Sequence, residues 1–501
     1  MTALPDRVDA LAALERQVRF DLDCLGYPAR RWTPVRRHGD ETVHDVVVVG
    51  GGQSGSSIAF GLLRERIANV LVLDRSPQGL EGPWVTFARM RSLRTPKTVT
   101  GPDLGIASLS VRAWWEASFG ASSWTSLDKI PRDRWQTYLA WVRRMTGINV
   151  TNDAEVIDIE PLQGGLLAIH ARVADDMKTF VCRKLVLATG IEGSGRWSVP
   201  DVVERNLPRH CYAHTAEPID FKSLRGKAVA VLGAGASAFD NAAMALEHGA
   251  ASVDLLARRA RLPSVNPNRW MEFAGFMRHF AELDDARKWR FMKHIFDMNQ
   301  PPPQETFDRC ARHQNFTVHL GCDLNQTEFA DGRIRLATST MSMRAEFLIV
   351  GTGFAIDLAA RPELGRFHDK IALWSDRYRP PDGEAHAQLG SYPYLSPNFQ
   401  FTEKAEGTAP FLANIFSYTF AAMPSLGSSA GISVLKYGVE RIVAGIGRAL
   451  FVEDADSHFD SLRAYDEQEL DISRLQRANA DTAGQRAISA RPETEDAQRN
   501  G

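Results

Sequence analysis

Two glycine fingerprints constrain this chain more than anything else in it: Gly50-Gly51-Gly52-Gln53-Ser54-Gly55 and Gly233-Ala234-Gly235-Ala236-Ser237-Ala238. The first follows the apolar run Val46-Val47-Val48-Val49, the second Ala228-Val229-Ala230-Val231-Leu232. Each unit reads as strand, tight turn, helix and second strand. Such a turn lets backbone approach a pyrophosphate closely, and the unpaired N–H groups of the following helix hold its charge. Gly50, Gly52, Gln53, Ser54 and Gly55 are therefore expected to bind one dinucleotide. Gly233, Gly235, Ala236, Ser237 and Ala238 are expected to bind another. One short glycine pattern recurs by chance; two in matching frames argue for two nucleotides.

The units part company where their second strands end. Asn69-Val70-Leu71-Val72-Leu73 stops at Asp74, 24 residues after Gly50. A carboxylate there accepts hydrogen bonds from both hydroxyls of an adenosine ribose, which suits FAD or NAD and repels a 2′-phosphate. Ser252-Val253-Asp254-Leu255-Leu256 instead runs into Ala257-Arg258-Arg259. Arg258 and Arg259 offer two guanidiniums where a 2′-phosphate would lie, which favours NADP. Two nucleotide cofactors in one chain imply electron transfer between them, so a flavin enzyme using FAD and NADPH is expected.

Composition narrows the partners. A net charge of −2 over 501 residues provides no basic field for nucleic acid. No apolar run is long enough to span a bilayer, and the start of the chain lacks a basic-then-apolar leader, so a cytoplasmic location is the expectation. The five cysteines are scattered and form neither a zinc pattern nor a disulfide framework, so no metal site is expected. No CxxC follows the first fingerprint, which argues against a flavoprotein disulfide reductase.

Along the chain, residues 1–44 read as a helical extension, with Val8, Leu11, Leu14, Val18 and Leu22 at helical spacing. Residues 45–217 and 346–455 are assigned to the first nucleotide domain, and 218–345 to the second. A helical insertion at 262–315 is expected to cover a cleft. Residues 456–501 read as a polar tail, disordered after Thr482. The tryptophans Trp114, Trp115, Trp124, Trp135 and Trp141 are read as core, without individual roles.

Taken together, these motifs resemble the class B flavoprotein monooxygenases: flavin-containing monooxygenases, Baeyer–Villiger monooxygenases and amine N-hydroxylases. The likeness covers residues 45–450. It rests on both fingerprints, on Gly82-Pro83-Trp84, on Ala188-Thr189-Gly190 and on Gly351-Thr352-Gly353-Phe354. The chain also looks like a bacterial group labelled flavoproteins involved in potassium transport. The resemblance implies an α/β fold in which a Rossmann-like NADP domain is inserted into a Rossmann-like FAD domain. It implies that NADPH reduces the flavin, that O2 adds at flavin C4a, and that the resulting (hydro)peroxide oxygenates a small molecule. Asp74, Arg75, Trp84, Thr189, Gly190, His214, Thr352, Gly353 and Phe354 are then expected to touch cofactor. Gly427 and Ser428 would open a helix aimed at the flavin ring. Arg91, Arg94 and Lys97 lie where relatives build the flavin pocket and are the catalytic candidates; a solvated basic loop is the alternative.

This chain also departs from the family pattern. Ser92-Leu93-Arg94-Thr95-Pro96-Lys97 carries Pro where flavin-containing monooxygenases place an Asn, and only His214 survives of their linker signature. Thr215-Ala216-Glu217 follows that His where a Baeyer–Villiger enzyme has Trp. N-hydroxylation of an amine is thereby placed ahead of ketone oxygenation. The alternatives are an NADPH-dependent reductase serving a quinone or protein acceptor, and a nucleotide-sensing subunit without turnover. The N-terminal helix is a candidate homo-oligomer interface.

Overall fold

The computed structural model describes residues 5–27, 31–98, 101–427, 431–475, 477–480 and 482. It divides into two compact units, Met1–Leu450 and Phe451–Gly501.

Two sheets organise the first unit. In one, strands Val70–Leu73, His44–Val49, Asp176–Leu187 and Ile415–Ser417 run parallel. The long strand Asp176–Leu187 then pairs antiparallel with Leu167–Val173, which pairs with Ala154–Pro161. Val46, Val47 and Val48 are fully buried. A parallel strand covered on both faces must be apolar throughout, which is why this run shows no alternation.

The second sheet has five parallel strands in the order Phe316–Leu320, Ser252–Ala257, Ala228–Leu232, Phe347–Val350, Tyr212–His214. Residues 212–214 and 347–350 thus pair in the second sheet, although their sequence position assigns them to the first domain. The reason lies in the pairing: Phe347 registers on Val229 and Leu348 on Tyr212, so this strand lies inside the second sheet. Two short strands, Gly195–Trp197 and Phe354–Ile356, cross antiparallel where the chain leaves one domain and returns to it. The meander Leu324–Ala330, Arg333–Thr338, Ser342–Ala345 packs Ile334, Leu336 and Ala345 behind the second sheet.

The insertion forms helices Pro267–Trp270, Ala274–His279, Asp285–Met298 and Gln304–Ala311. Its Phe276, Phe280, Trp289, Met292 and Ile295 share a core with Trp374, Tyr392, Ala421 and Met423. The helices that carry these residues are therefore anchored on first-domain chain, whereas Gln304–Ala311 packs Cys310 and Phe307 into the second-domain core. Helix Arg132–Thr146 buries Trp135, Tyr138 and Trp141 and ends at Gly147 in the left-handed region. Helix Pro5–Cys24 adds Val18 and Leu22 to the same core.

In the second unit, helix Ala455–Arg463 lies where the sequence reads as a polar tail, and its Phe459 and Leu462 are exposed. The stretch after residue 482 lies outside the described residues. Among the described residues no helix is long and apolar enough to cross a membrane.

Candidate functional site

The fingerprint glycines fall into two kinds. Gly50 has φ +106°, and a Cβ on it would lie 2.3 Å from the Ala188 carbonyl oxygen. A Cβ on Gly55 would lie 1.8 Å from the Gly50 oxygen. The protein itself demands these two. Gly52 is different: its φ of −66° and ψ of −167° are open to any residue. Among the described residues a Cβ there would meet nothing closer than Gly82 Cα at 3.8 Å. Helix Gln53–Arg64 begins at Gly52 with no side-chain cap and no acid in its first turn.

The second fingerprint repeats this. Gly233 has φ +113° and a Cβ would lie 2.3 Å from the Gly351 oxygen, whereas a Cβ on Gly235 would meet none of the described residues within 4 Å. Helix Ala236–Glu247 is likewise uncapped and free of acid at its start. At each site the glycine that the protein does not need stands beside the start of a helix without a side-chain cap. That is a cradle for an anionic ligand, and a dinucleotide pyrophosphate fits it. Ala238 stands where a third glycine would pack: a Cβ on Gly351 would lie 2.7 Å from Ala238 Cβ.

Around the first cradle, Asp74 is 7% exposed. One carboxylate oxygen accepts from Gly51 N–H and the other from Ser76 N–H, each at 2.7 Å. Each oxygen keeps a lone pair for a ribose hydroxyl. Arg75 pairs with Glu192 at 2.5 Å. Trp84 is buried, and its indole N–H has no hydrogen-bond partner among the described residues. An orphaned buried donor is costly, and an acceptor on a bound cofactor would relieve it. Thr189 and Gly190 form the turn after the central strand, with Gly190 at φ +83°; the Thr189 hydroxyl reaches the Gly193 oxygen at 3.4 Å.

Sequence reasoning misses the pair behind this cradle. Glu81, 2% exposed, is held by Arg143 at 2.8 Å and by the Asn152 amide at 2.9 Å. Burial pushes its carboxyl pKa up, but Arg143 and Asn152 outweigh that and hold it below the usual range. Gln53 Oε1 also accepts from the Trp135 indole at 3.3 Å, fixing the helix start. An acid immediately before Gly82-Pro83-Trp84 is the available signal; its partner lies too far along the chain to be read.

The three catalytic candidates are engaged elsewhere. Arg91 bonds Glu247 and Arg94 bonds Asp240, each at 2.9 Å, so both clasp the fingerprint helix of the second domain. Lys97 donates to the Trp124 and Leu127 carbonyls at 2.6 and 2.5 Å. These contacts hold the three side chains between elements, and Arg94 Nε stays buried without a hydrogen-bond partner among the described residues. Asp240 also accepts from Thr306 at 2.9 Å. Arg94→Ala is accordingly expected to cost about 1 kcal/mol in chemical denaturation, discounted for partial exposure.

His214 is 1% exposed. Its Nε2–H donates to the Gly353 oxygen at 3.0 Å and its Nδ1 accepts from Ala216 N–H at 3.1 Å. Satisfied on both sides, the ring pins the linker to the returning strand and leaves no nitrogen for a cofactor. Thr352 bonds the Ser198 carbonyl, and Phe354 packs on Trp197 and Phe420, so these too serve the crossing point. Burial pushes the His214 pKa below 6.5 against the opposing Gly353 carbonyl and Glu217. As pH falls through that value the unfolded chain takes the proton first, and stability drops. Urea midpoints should therefore fall more steeply below pH ~6.5 in the wild type than in His214→Asn.

At the second cradle, Arg258 and Arg259 are both exposed, and among the described residues no carboxylate pairs with either. Arg259 donates to Asn299 of the insertion at 2.5 Å. Desolvation, then the adjacent Arg258 charge, lowers the Arg259 pKa. Two like charges held together without an anion are suited to receive one. Gly427 has φ +69°, and a Cβ on it would lie 2.5 Å from Phe280 Cγ, so the insertion seats directly on the turn before helix Ile432–Glu453. Ser428 lies outside the described residues.

A family model described as pyridine nucleotide-disulphide oxidoreductase matches residues 44–279. The FAD-dependent urate hydroxylase of Xanthomonas campestris pv. campestris is 42% identical over 462 residues, covering 92% of this chain and 97% of that protein. Among solved structures, the ornithine hydroxylase of Pseudomonas aeruginosa aligns with TM-score 0.63 at 17% identity, over 81% of this chain and 100% of that one. The L-lysine 6-monooxygenase of Pseudomonas syringae aligns with TM-score 0.62 at 18% identity, over 81% and 99%. At such identities these two show a shared fold. The urate hydroxylase relative shows more: the chain belongs to the same family of FAD-dependent oxidoreductases, and it is a flavoprotein monooxygenase.

Proposed function

We propose that this enzyme hydroxylates urate or a closely related oxopurine, taking electrons from NADPH and oxygen from O2. The observation that carries this is the 42% identity to the urate hydroxylase across 92% of the chain. Arg258 and Arg259 support the phosphorylated nicotinamide, since neither pairs with a carboxylate among the described residues at the end of strand Ser252–Ala257. In net terms, NADPH, a proton, O2 and substrate give NADP+, water and a product carrying one added oxygen.

When bound, FAD supplies the redox centre that accepts electrons and activates O2. The chain's own residues do the rest. Gly52 and Gly235 leave room for the two pyrophosphates, and the helix N-termini behind them hold the charge. Asp74 would orient the ribose of one nucleotide, and the Trp84 indole would offer that cofactor a hydrogen bond. The aromatic core of the insertion, built on Phe276, Phe280 and Trp289, covers the approach and keeps water away from the reacting atoms.

Amine N-hydroxylation is the second reading, favoured by the fold shared with the ornithine and lysine enzymes. NADPH oxidation by the purified flavin-loaded enzyme, with urate, ornithine and lysine in parallel, separates the two. Urate should raise NADPH consumption, with one O2 used per NADPH and little hydrogen peroxide released. Stimulation by ornithine or lysine and none by urate would transfer the assignment to amines.

A further inference from the structure

A file of aromatic rings leads away from the loop beside the first cradle. Trp84 meets Trp135 edge-on with centroids 6.4 Å apart, and Trp135 meets Tyr138 at 5.2 Å. At Tyr138 the file forks. One branch is Trp141, stacked at 6.2 Å. The other runs through Trp114 at 5.7 Å, Trp115 at 6.3 Å and Trp124 at 6.5 Å. Every ring named is at most 8% exposed.

The two ends differ in charge. The Lys97 ammonium lies 5.1 Å over the Trp124 ring, which disfavours positive charge there. The Trp141 indole N–H instead donates at 3.2 Å to the Glu15 carboxylate, whose charge is offset by Arg144 and Arg19 but which offers the proton a destination. Glu15 is also bonded to Arg144, whose side chain is 57% exposed, so this end lies close to solvent. Between them, Tyr138 donates to the Leu109 carbonyl at 2.8 Å, an acceptor that cannot take its proton. A phenol loses its proton on oxidation and an indole need not, so a hole passes Tyr138 without resting on it.

We propose that this file is a redox outlet for the flavin site, with its terminus at Trp141. A one-electron oxidant at that site, either photoexcited flavin or an oxygen-derived species from failed turnover, takes an electron from Trp84. The hole moves through Trp135 and Tyr138 to Trp141, whose indole proton passes to Glu15. The oxidant has then gained one electron, and Trp141 has lost one electron and one proton. A soluble thiol returns both. The inference rests on FAD lodging beside Trp84.

Transient absorption after a blue laser flash on the flavin-loaded protein tests it, with flavin content measured first. A colourless protein would defeat the flavin assignment; a flavin-loaded protein judges the outlet alone. The wild type should show reduced flavin together with a persistent neutral tryptophan radical. Trp141→Phe should shorten the lifetime of that pair about tenfold or more, while Trp124→Phe leaves it unchanged. Glu15→Gln, on the N-terminal helix, keeps the side chain's size beside Trp141 and should leave the radical as its protonated cation and hasten recombination. This variant decides the matter even if a ring substitution fails to fold. An unchanged lifetime in Trp141→Phe, a larger effect in Trp124→Phe, or a neutral radical in Glu15→Gln would overturn the assignment.

Discussion

Replacing Gly52 by Ala is expected to yield a folded protein with a greatly weakened hold on FAD. Among the described residues the added methyl would meet no atom closer than 3.8 Å, and the backbone there is ordinary, so the fold has no reason to object. A pyrophosphate seated on the helix start would meet that methyl directly. Overpacking of this kind costs about 1 to 3 kcal/mol, or roughly 5- to 150-fold in FAD dissociation constant. Gly55→Ala is the contrasting case. Its Cβ would lie 1.8 Å from the Gly50 carbonyl oxygen, with backbone on both sides and nothing free to give. That variant should lose more than ~3 kcal/mol of stability and fail to accumulate as folded protein. Flavin absorbance per polypeptide and thermal midpoint, measured on both variants, separate a cofactor cradle from a packing glycine. Loss of FAD in proportion to loss of fold in both would show that Gly52 is merely structural.

Substituting Ala for Arg258 and Arg259 together should weaken NADPH binding by about 1.5 to 3 kcal/mol, roughly 10- to 150-fold, and leave NADH affinity nearly unchanged. Neither guanidinium is spent on a carboxylate among the described residues, so little stability should go with them. Titration of each nucleotide against the oxidised holoenzyme reads the difference. An equal loss for both would mean that the pair supports the fold or the insertion, through Arg259 and Asn299, rather than a 2′-phosphate.

Both expectations concern residues that are legible in the sequence alone. A fingerprint is local: strand, turn, helix start and the acid or arginine at the second strand's end lie within a short stretch, and backbone chemistry fixes what they form. Asp74 and the opposed Arg258 and Arg259 are readable for that reason. The residues that mislead are those whose partners lie far away. Arg94 looks available to a flavin in the sequence, but the fold brings Asp240 to it across 146 residues. Arg91 meets Glu247 across 156, and His214 meets Gly353 across 139. Nothing periodic or compositional announces such contacts. The same limit explains strand Phe347–Val350: its apolar run into Gly351 looks like Leu185 to Ala188, and only pairing shows which sheet owns it. Phe280 is equally silent, one aromatic among many until the fold presses Gly427 against it.

Mass spectrometry of the product made from urate under labelled O2, with NADPH as the sole reductant, tests the central claim most directly. One labelled oxygen atom in the product and the other in water is the outcome expected of a flavoprotein monooxygenase acting on an oxopurine. An unlabelled product, or NADPH consumed to give only labelled hydrogen peroxide while urate is recovered intact, would contradict it.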